Sequence, residues 1–424
     1  MRVNPDLIAD LGFDPAAAEI ADFTPPGQTY PDPPVLQVGS IPARALHSIC
    51  SGTPVTVIDS PPGGGKTHSV LSIVAHLANT VGLNVAIGCP TGEQAINVGN
   101  RLVEYLHPTQ IDFRLADCPP DLLHPDLRPG AKLTPPDPGP TPRGTVMVRT
   151  LMSLAMTRAF TGAAPDVLVV DEAYQATFTD AAAAATHATQ VLLVGDPGQI
   201  GPVVTVSTSR WTGRFAPHLR APEAFAHHGG TQLSIDVTYR LGRVTADLLA
   251  PLYDFPFTSA RPPRHVAFGV APLGEIEQVA VPGPVSTPTD QSLMAAAVTR
   301  VEHLVLAGRY VSADGDREIT QTDVVVIAAL NAQVVALSAL LHERGLDGVK
   351  VGTADKLQGG QWPAVVAVDP TCSGSTSGHT LSLGRLCVML SRHMAHLTWV
   401  HDGAWRALDD DTGLARTIRT AMLG

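Results

Sequence analysis

Eight consecutive residues, Ser60-Pro61-Pro62-Gly63-Gly64-Gly65-Lys66-Thr67, place three glycines beside a cation and a hydroxyl. Glycines lack the side chains that would keep a backbone from curling with its N–H groups aimed at a polyphosphate. Lys66 would then set a point charge against the outer phosphates, and the Thr67 hydroxyl would hold Mg²⁺. Ser60 stands where the pattern G-x-x-x-x-G-K-[ST] has its first glycine. Serine is small, which predicts a modest change in the turn with binding retained. Residues 60–67, with His68 after them, read as a site for ATP. Two more clusters fit that chemistry. Asp171-Glu172 ends the apolar run Val167-Leu-Val-Val170; Asp171 would hold the metal through its water shell, and Glu172 would orient and deprotonate an attacking water. Gly195-Asp-Pro-Gly-Gln199 ends a further apolar run, and Gln199 could reach the γ-phosphate.

Three strands must bring these groups to one place. The β-branched run Val55–Asp59 delivers the chain to the glycines, and Val70, Ile73, Val74 and Leu77 recur at helical spacing after them. The loop therefore opens onto a helix whose N-terminus adds partial positive charge. Asn84–Cys89 predicts another strand, followed by the turn Pro90-Thr91-Gly92 and a helix through Leu102. Val146–Thr150 predicts a strand, with a helix from Leu151 to Phe160. In open α/β sheets, turns at the carboxyl ends of strands project into the ligand crevice.

A chain of 424 residues fits two α/β domains. No apolar run approaches a membrane span of about 18 residues, and Met1–Asp10 has no export signal, so the expectation is a cytoplasmic protein without a membrane partner. Five cysteines without a C-x-x-C pair read as reduced thiols, and His227-His228 as a solvated loop pair. The net charge of −11 argues against a general polyanion coat. Residues 205–264 nonetheless hold seven arginines (210, 214, 220, 240, 243, 261 and 264) against four acids. Residues 1–46 are Pro-rich and predict an irregular arm, and the Pro-dense stretch 107–143 predicts an insert outside the core.

The ordered clusters resemble superfamily 1 helicases. Residues Ser60–Thr67, Asp171-Glu-Ala-Tyr-Gln175 and Gly195–Gln199 resemble motifs I, II and III, and the D-E-A-x-Q form is similar to the Upf-like 1B group. Thr238-Tyr-Arg240 resembles that group's Q-Y-R, with threonine for glutamine, and Leu252–Phe257 follows as its short apolar segment does. Val324–Gln333, Gly352–Gly359 and Arg385–Arg392 resemble motifs IV, V and VI.

The resemblance spans about residues 52 to 402 and implies two tandem RecA-like P-loop domains of mostly parallel sheets, over 47–222 and 230–424. It places the nucleotide in the interdomain cleft and makes Lys66, Glu172, Gln199, Arg240 and Arg392 catalytic, the arginines reaching across as fingers. Gln358 and Asp355 would link nucleotide state to a bound strand. Single-stranded nucleic acid, DNA favoured over RNA, would cross both domains near Pro90, Thr91, Thr150, Thr353 and Gln333, with Trp211 beside Arg210 and Arg214 as a stacking face. Movement from 5′ to 3′ is implied. Two alternatives stay open: a nucleic-acid-stimulated ATPase that does not separate strands, and an ATP-dependent switch subunit with protein partners in replication, repair or phage defence.

Overall fold

The computed structural model describes residues 31–116, 118–127, 144–157, 164–378, 380–408 and 413–423. Most of the expected arm, the later part of the 107–143 insert and the Phe160 end of the expected helix lie outside these residues.

Runs of β-branched residues buried on both faces suit parallel central strands. The first lobe is such a sheet: β1 (Val55–Asp59), β2 (Val85–Cys89), β3 (Ile111–Phe113), β4 (Val146–Thr150), β5 (Val167–Asp171), β6 (Gln190–Gly195) and β7 (Thr231–Ser234), in the order β3-β4-β2-β5-β6-β1-β7 and parallel throughout. Helices Ile41–Cys50, Lys66–Ala75 and Gly92–Leu102 cover one face. Helices Leu151–Ala155, Phe178–Ala185 and Ala221–Phe225 cover the other. Each fully buried Val, Leu or Ile in these layers contributes about 1.5–3 kcal/mol. The register sets Asp59 beside Gly195 and Asp171 beside Val194, so the turns after β1, β5 and β6 leave the sheet side by side.

The second lobe begins with the two-residue pair β8 (Val237–Thr238) and β9 (Thr258–Ser259). A small antiparallel sheet follows from β10 (Arg264–Phe268) and β11 (Ala271–Pro272). Its core sheet uses β12 (Ile276–Ala280), while β13 (Gly308–Ser312) and β14 (Gly315–Glu318) complete the antiparallel one. With β15 (Val324–Ala328), β16 (Lys350–Thr353), β17 (Trp362–Val368) and β18 (His393–His401), the core sheet runs β12-β18-β17-β15-β16, again parallel. The chain is thus α/β, with two tandem RecA-like lobes.

Three sequence boundaries shift. Strand β7 lies beside β1, so the first sheet continues to Ser234, past the expected end at 222 and start of the second domain at 230. A short strand without apolar alternation carried no signal for its partner. Helix Ile41–Cys50 packs through Ala45 and Ile49 on the first lobe, whereas the Pro-rich composition places residues up to 46 in the arm. The helix after β4 ends at Ala155. Among the described residues, no helix is long and apolar enough to cross a membrane.

Glu275 ties the second lobe's first helix to β18. It accepts from the Thr245 backbone N–H (3.1 Å) and hydroxyl and lies 3.7 Å from His393 and 3.8 Å from Arg261. Burial pushes this carboxyl up, but the hydrogen bonds of His393 and Thr245 prevail and hold it at about 2 against an ordinary 4.5. A carboxylate depressed in the fold stabilises above its unfolded value and loses that contribution as pH falls toward the folded one. Urea midpoints of the parent and Glu275→Gln should therefore differ fully above about pH 4.5. The gap should close as pH falls to about 2.

Candidate active site in the interlobe cleft

The glycine loop folds as the backbone argument requires. Gly63 (φ +74°) and Gly65 (φ +85°) occupy the left-handed region, and a Cβ at Gly63 would fall 2.2 Å from the Arg240 Cβ. Ser60 is buried, its N–H donating to the Gly195 carbonyl (3.0 Å) and its hydroxyl to the Pro61 carbonyl (3.0 Å). Serine in the first glycine's place therefore braces the turn. Pro61 and Pro62 are buried behind it. The Thr-Tyr-Arg segment lies directly on the loop: the Thr238 hydroxyl donates to the Pro62 carbonyl (2.6 Å) and the Tyr239 N–H to the Gly63 carbonyl (3.0 Å). Thr67 and His68 open the helix at the cleft wall, with His68 Nδ1 hydrogen-bonded to the Tyr105 hydroxyl at 2.8 Å.

Carboxylates meet Lys66 from two strands. Lys66 Nζ lies 3.9 Å from Glu172 and 3.7 Å from Asp196. Burial, then the charge of Glu172, raises the Asp171 carboxyl to about 7, against the opposing pull of Lys66. Glu172 sits in left-handed backbone (φ 55°, ψ 42°), a conformation that costs a non-glycine residue about 1–3 kcal/mol and gathers at functional sites. Its side chain accepts from Gln175 Nε2 (3.3 Å), and Gln175 Oε1 accepts from Gln94 Nε2 (2.9 Å). Asp196 was missed in the sequence as a site residue. It is 1% exposed and accepts from Gln199 Nε2, the Gly198 N–H (3.0 Å) and the Tyr253 hydroxyl (2.8 Å), while burial raises its carboxyl. The available signal was its place in the same turn as Gln199.

The second lobe supplies the cations. Arg240 Nε donates to Gln361 Oε1 (3.0 Å) and Nη1 to the Ser391 carbonyl (3.4 Å). Arg392 is 1% exposed; Nη2 donates to the Ser391 hydroxyl (2.9 Å), Nη1 to the Gly360 carbonyl (3.4 Å), and Nε has no hydrogen-bond partner among the described residues. Burial first, and Arg392 second, bring Arg240 down to about 9. Burial lowers Arg392 as well, while Asp196 and Glu172 across the cleft oppose this. Among the described residues no carboxylate lies within ion-pair distance of either arginine. Both line one cleft of about 940 Å³ with Lys66, Thr67, Asp171, Glu172 and Gln199. Gln358 reaches across and donates to Gln199 Oε1 (3.3 Å), whereas Asp355 stays within its lobe, paired twice with Arg385 at 3.0 Å.

The residues expected to meet nucleic acid divide. Thr91 lines the cleft and caps helix Gly92–Leu102, its hydroxyl accepting from the Gln94 N–H (3.3 Å). Thr150 caps the next helix by accepting from the Ser153 N–H (3.2 Å). Pro90 follows Cys89, which pairs with Thr150, so these turns lie at adjacent strand ends. Thr353 is buried at the end of β16. Trp211 carries the Arg210 guanidinium 4.2 Å above its ring. Gln333 is a correction: it is 1% exposed and holds the Ala329 and Leu330 N–H groups and the Pro288 carbonyl, so it has no free face for a strand. The local basic excess is also partly internal, since Arg261 and Arg264 both donate to the Met394 carbonyl and Arg220 to that of Pro197. His227 and His228 are exposed, yet their rings pack against Phe215, with His228 also beside Phe178 and Phe225.

No curated protein matches the chain by sequence. The PRRSV helicase is similar at 17% identity and a TM-score of 0.43, over 84% of this chain and 54% of that one. An arterivirus nonstructural protein 10 helicase in complex with DNA gives 19% and 0.47, over 88% and 65%. The helicase MrfA bound to DNA gives 10% and 0.48, over 85% and 48%. The chain thus spans 48 to 65% of the lengths of these structures. Residues 43–211, which contain the glycine loop and both tandem acids, match the AAA domain family.

Proposed function

We propose that this chain hydrolyses ATP between its lobes and uses the cycle to move along single-stranded DNA from 5′ to 3′, as a superfamily 1 helicase of the Upf-like group. The observation that carries the reading is a pair of guanidinium groups, half-buried Arg240 and fully buried Arg392, which share a cleft with Lys66 and have no carboxylate partner among the described residues. Two like charges in one cleft, the Arg392 cation fully out of solvent, call for an anion between the lobes. A triphosphate on the glycine loop meets that need.

Lys66 would leave Glu172 and Asp196 for the outer phosphates. Thr67 and Asp171 would hold Mg²⁺, which fits the site because Asp171 is buried with no cation within ion-pair distance among the described residues. The metal would neutralise phosphate charge. Glu172 would take the proton of the attacking water, Gln199 would face the γ-phosphate, and the arginines would stabilise charge developing on its oxygens. Drawing the arginines inward would close the cleft, and the strand-end turns at Pro90-Thr91, Thr150 and Thr353, with Trp211, would alternate in their hold on the strand.

ATPase assays with and without single-stranded DNA or RNA, followed by unwinding of duplexes with 5′ or 3′ overhangs, test the reading. Stimulation by DNA and unwinding from a 5′ overhang are expected, and Lys66→Ala should weaken ATP binding and turnover together. ATP hydrolysis with no unwinding of either duplex would leave a translocase or switch; no hydrolysis at all would remove the motor.

A further inference from the structure

The loop Gly195–Ile200 belongs to the first lobe, yet the second lobe closes around it. A Cβ at Gly198 would lie 2.4 Å from the Tyr253 hydroxyl oxygen, and one at Gly384 would lie 2.9 Å from the Gln199 carbonyl oxygen. Only glycine admits approaches this close. Tyr253 makes the charge-assisted contact, donating to Asp196 Oδ1 at 2.8 Å. The other Asp196 oxygen accepts from Gln199 Nε2 and lies 3.7 Å from Lys66. The Tyr253 ring is wedged edge-on between Phe255 (5.4 Å) and Phe257 (5.1 Å), and its hydroxyl also touches the Cys387 thiol at 3.5 Å. Burial and the adjacent Asp196 keep the phenol protonated and therefore a donor.

Resting on the hydrolysis reading, we propose that Tyr253 is a positioning residue through which the second lobe sets Gln199: its hydroxyl orients Asp196, and Asp196 orients the Gln199 amide. Because the phenol and the carboxylate sit on different lobes, opening the cleft breaks the link and closing it restores the link. Turnover would then be confined to the closed state.

The test is steady-state ATP hydrolysis by the parent, Tyr253→Phe, Asp196→Asn and the double variant. Phenylalanine keeps the ring packing and leaves Lys66 in place, so kcat should fall about tenfold while KM for ATP stays within about twofold. In the Asp196→Asn background Tyr253→Phe should cost nothing further, because the two groups act in series. Gln199→Ala is a second background, usable if Asp196→Asn does not fold, in which Tyr253→Phe should again be silent. A parental kcat in Tyr253→Phe, or a full additional loss in either background, overturns the proposal while leaving the hydrolysis reading intact. A parent without ATPase activity removes both.

Discussion

Glu172→Gln should bind ATP with near-parental affinity and hydrolyse it roughly 10³-fold more slowly, within the range for loss of a positioned general base. The substitution is isosteric, so Gln175 Nε2 still finds an oxygen and the strained backbone at 172 is not asked to move. Only the ability to take a proton goes. Removing one negative charge beside Lys66 also eases release of that lysine toward phosphate, so binding is not expected to weaken. Equilibrium titration with a fluorescent ATP analogue and single-turnover hydrolysis separate the two quantities. Parental turnover in this variant would reassign the base.

Arg392→Ala should lower kcat by about 10³, the low end for loss of an arginine finger, with a smaller change in KM. Arg392 is buried immediately before β18 and lines the cleft with no acid within ion-pair distance among the described residues, which would leave its charge for the transition state. Arg392→Lys is the informative companion. It keeps the cation but loses the planar fork that reaches Gly360 and Ser391 together, so most of the defect should persist. Thermal melts of both variants separate a lost fold from a lost finger. Hydrolysis at the parental rate in a folded Arg392→Ala would end the trans-cleft role.

The phosphate loop, the tandem acids and their strands were legible because each is a local pattern: β-branched runs buried on both faces, ended by residue types that suit a phosphate or metal site at that spacing. Arg240 and Arg392 were legible only through resemblance, since no local property separates them from the other arginines of the chain. Asp196 and Tyr253 were in plain view within recognised segments, but their roles depend on a contact between residues 57 positions apart. The error at Gln333 has the same origin, because an amide in the first turn of a helix can face solvent or cap that helix's own N-terminus, and the sequence does not tell which.

Local chemistry and periodicity therefore determined that this protein is α/β, where its phosphate loop begins and which strand ends in tandem acids. The tertiary structure alone decided that Thr238 and Tyr239 lie on the phosphate loop, that β7 belongs to the first sheet, and that two arginines enter the cleft without carboxylate partners among the described residues. Short-range order follows from backbone preference and hydrophobic period. The relation between lobes follows from steric fit, as at Gly63, Gly198 and Gly384, where the absence of a single Cβ lets two distant segments touch.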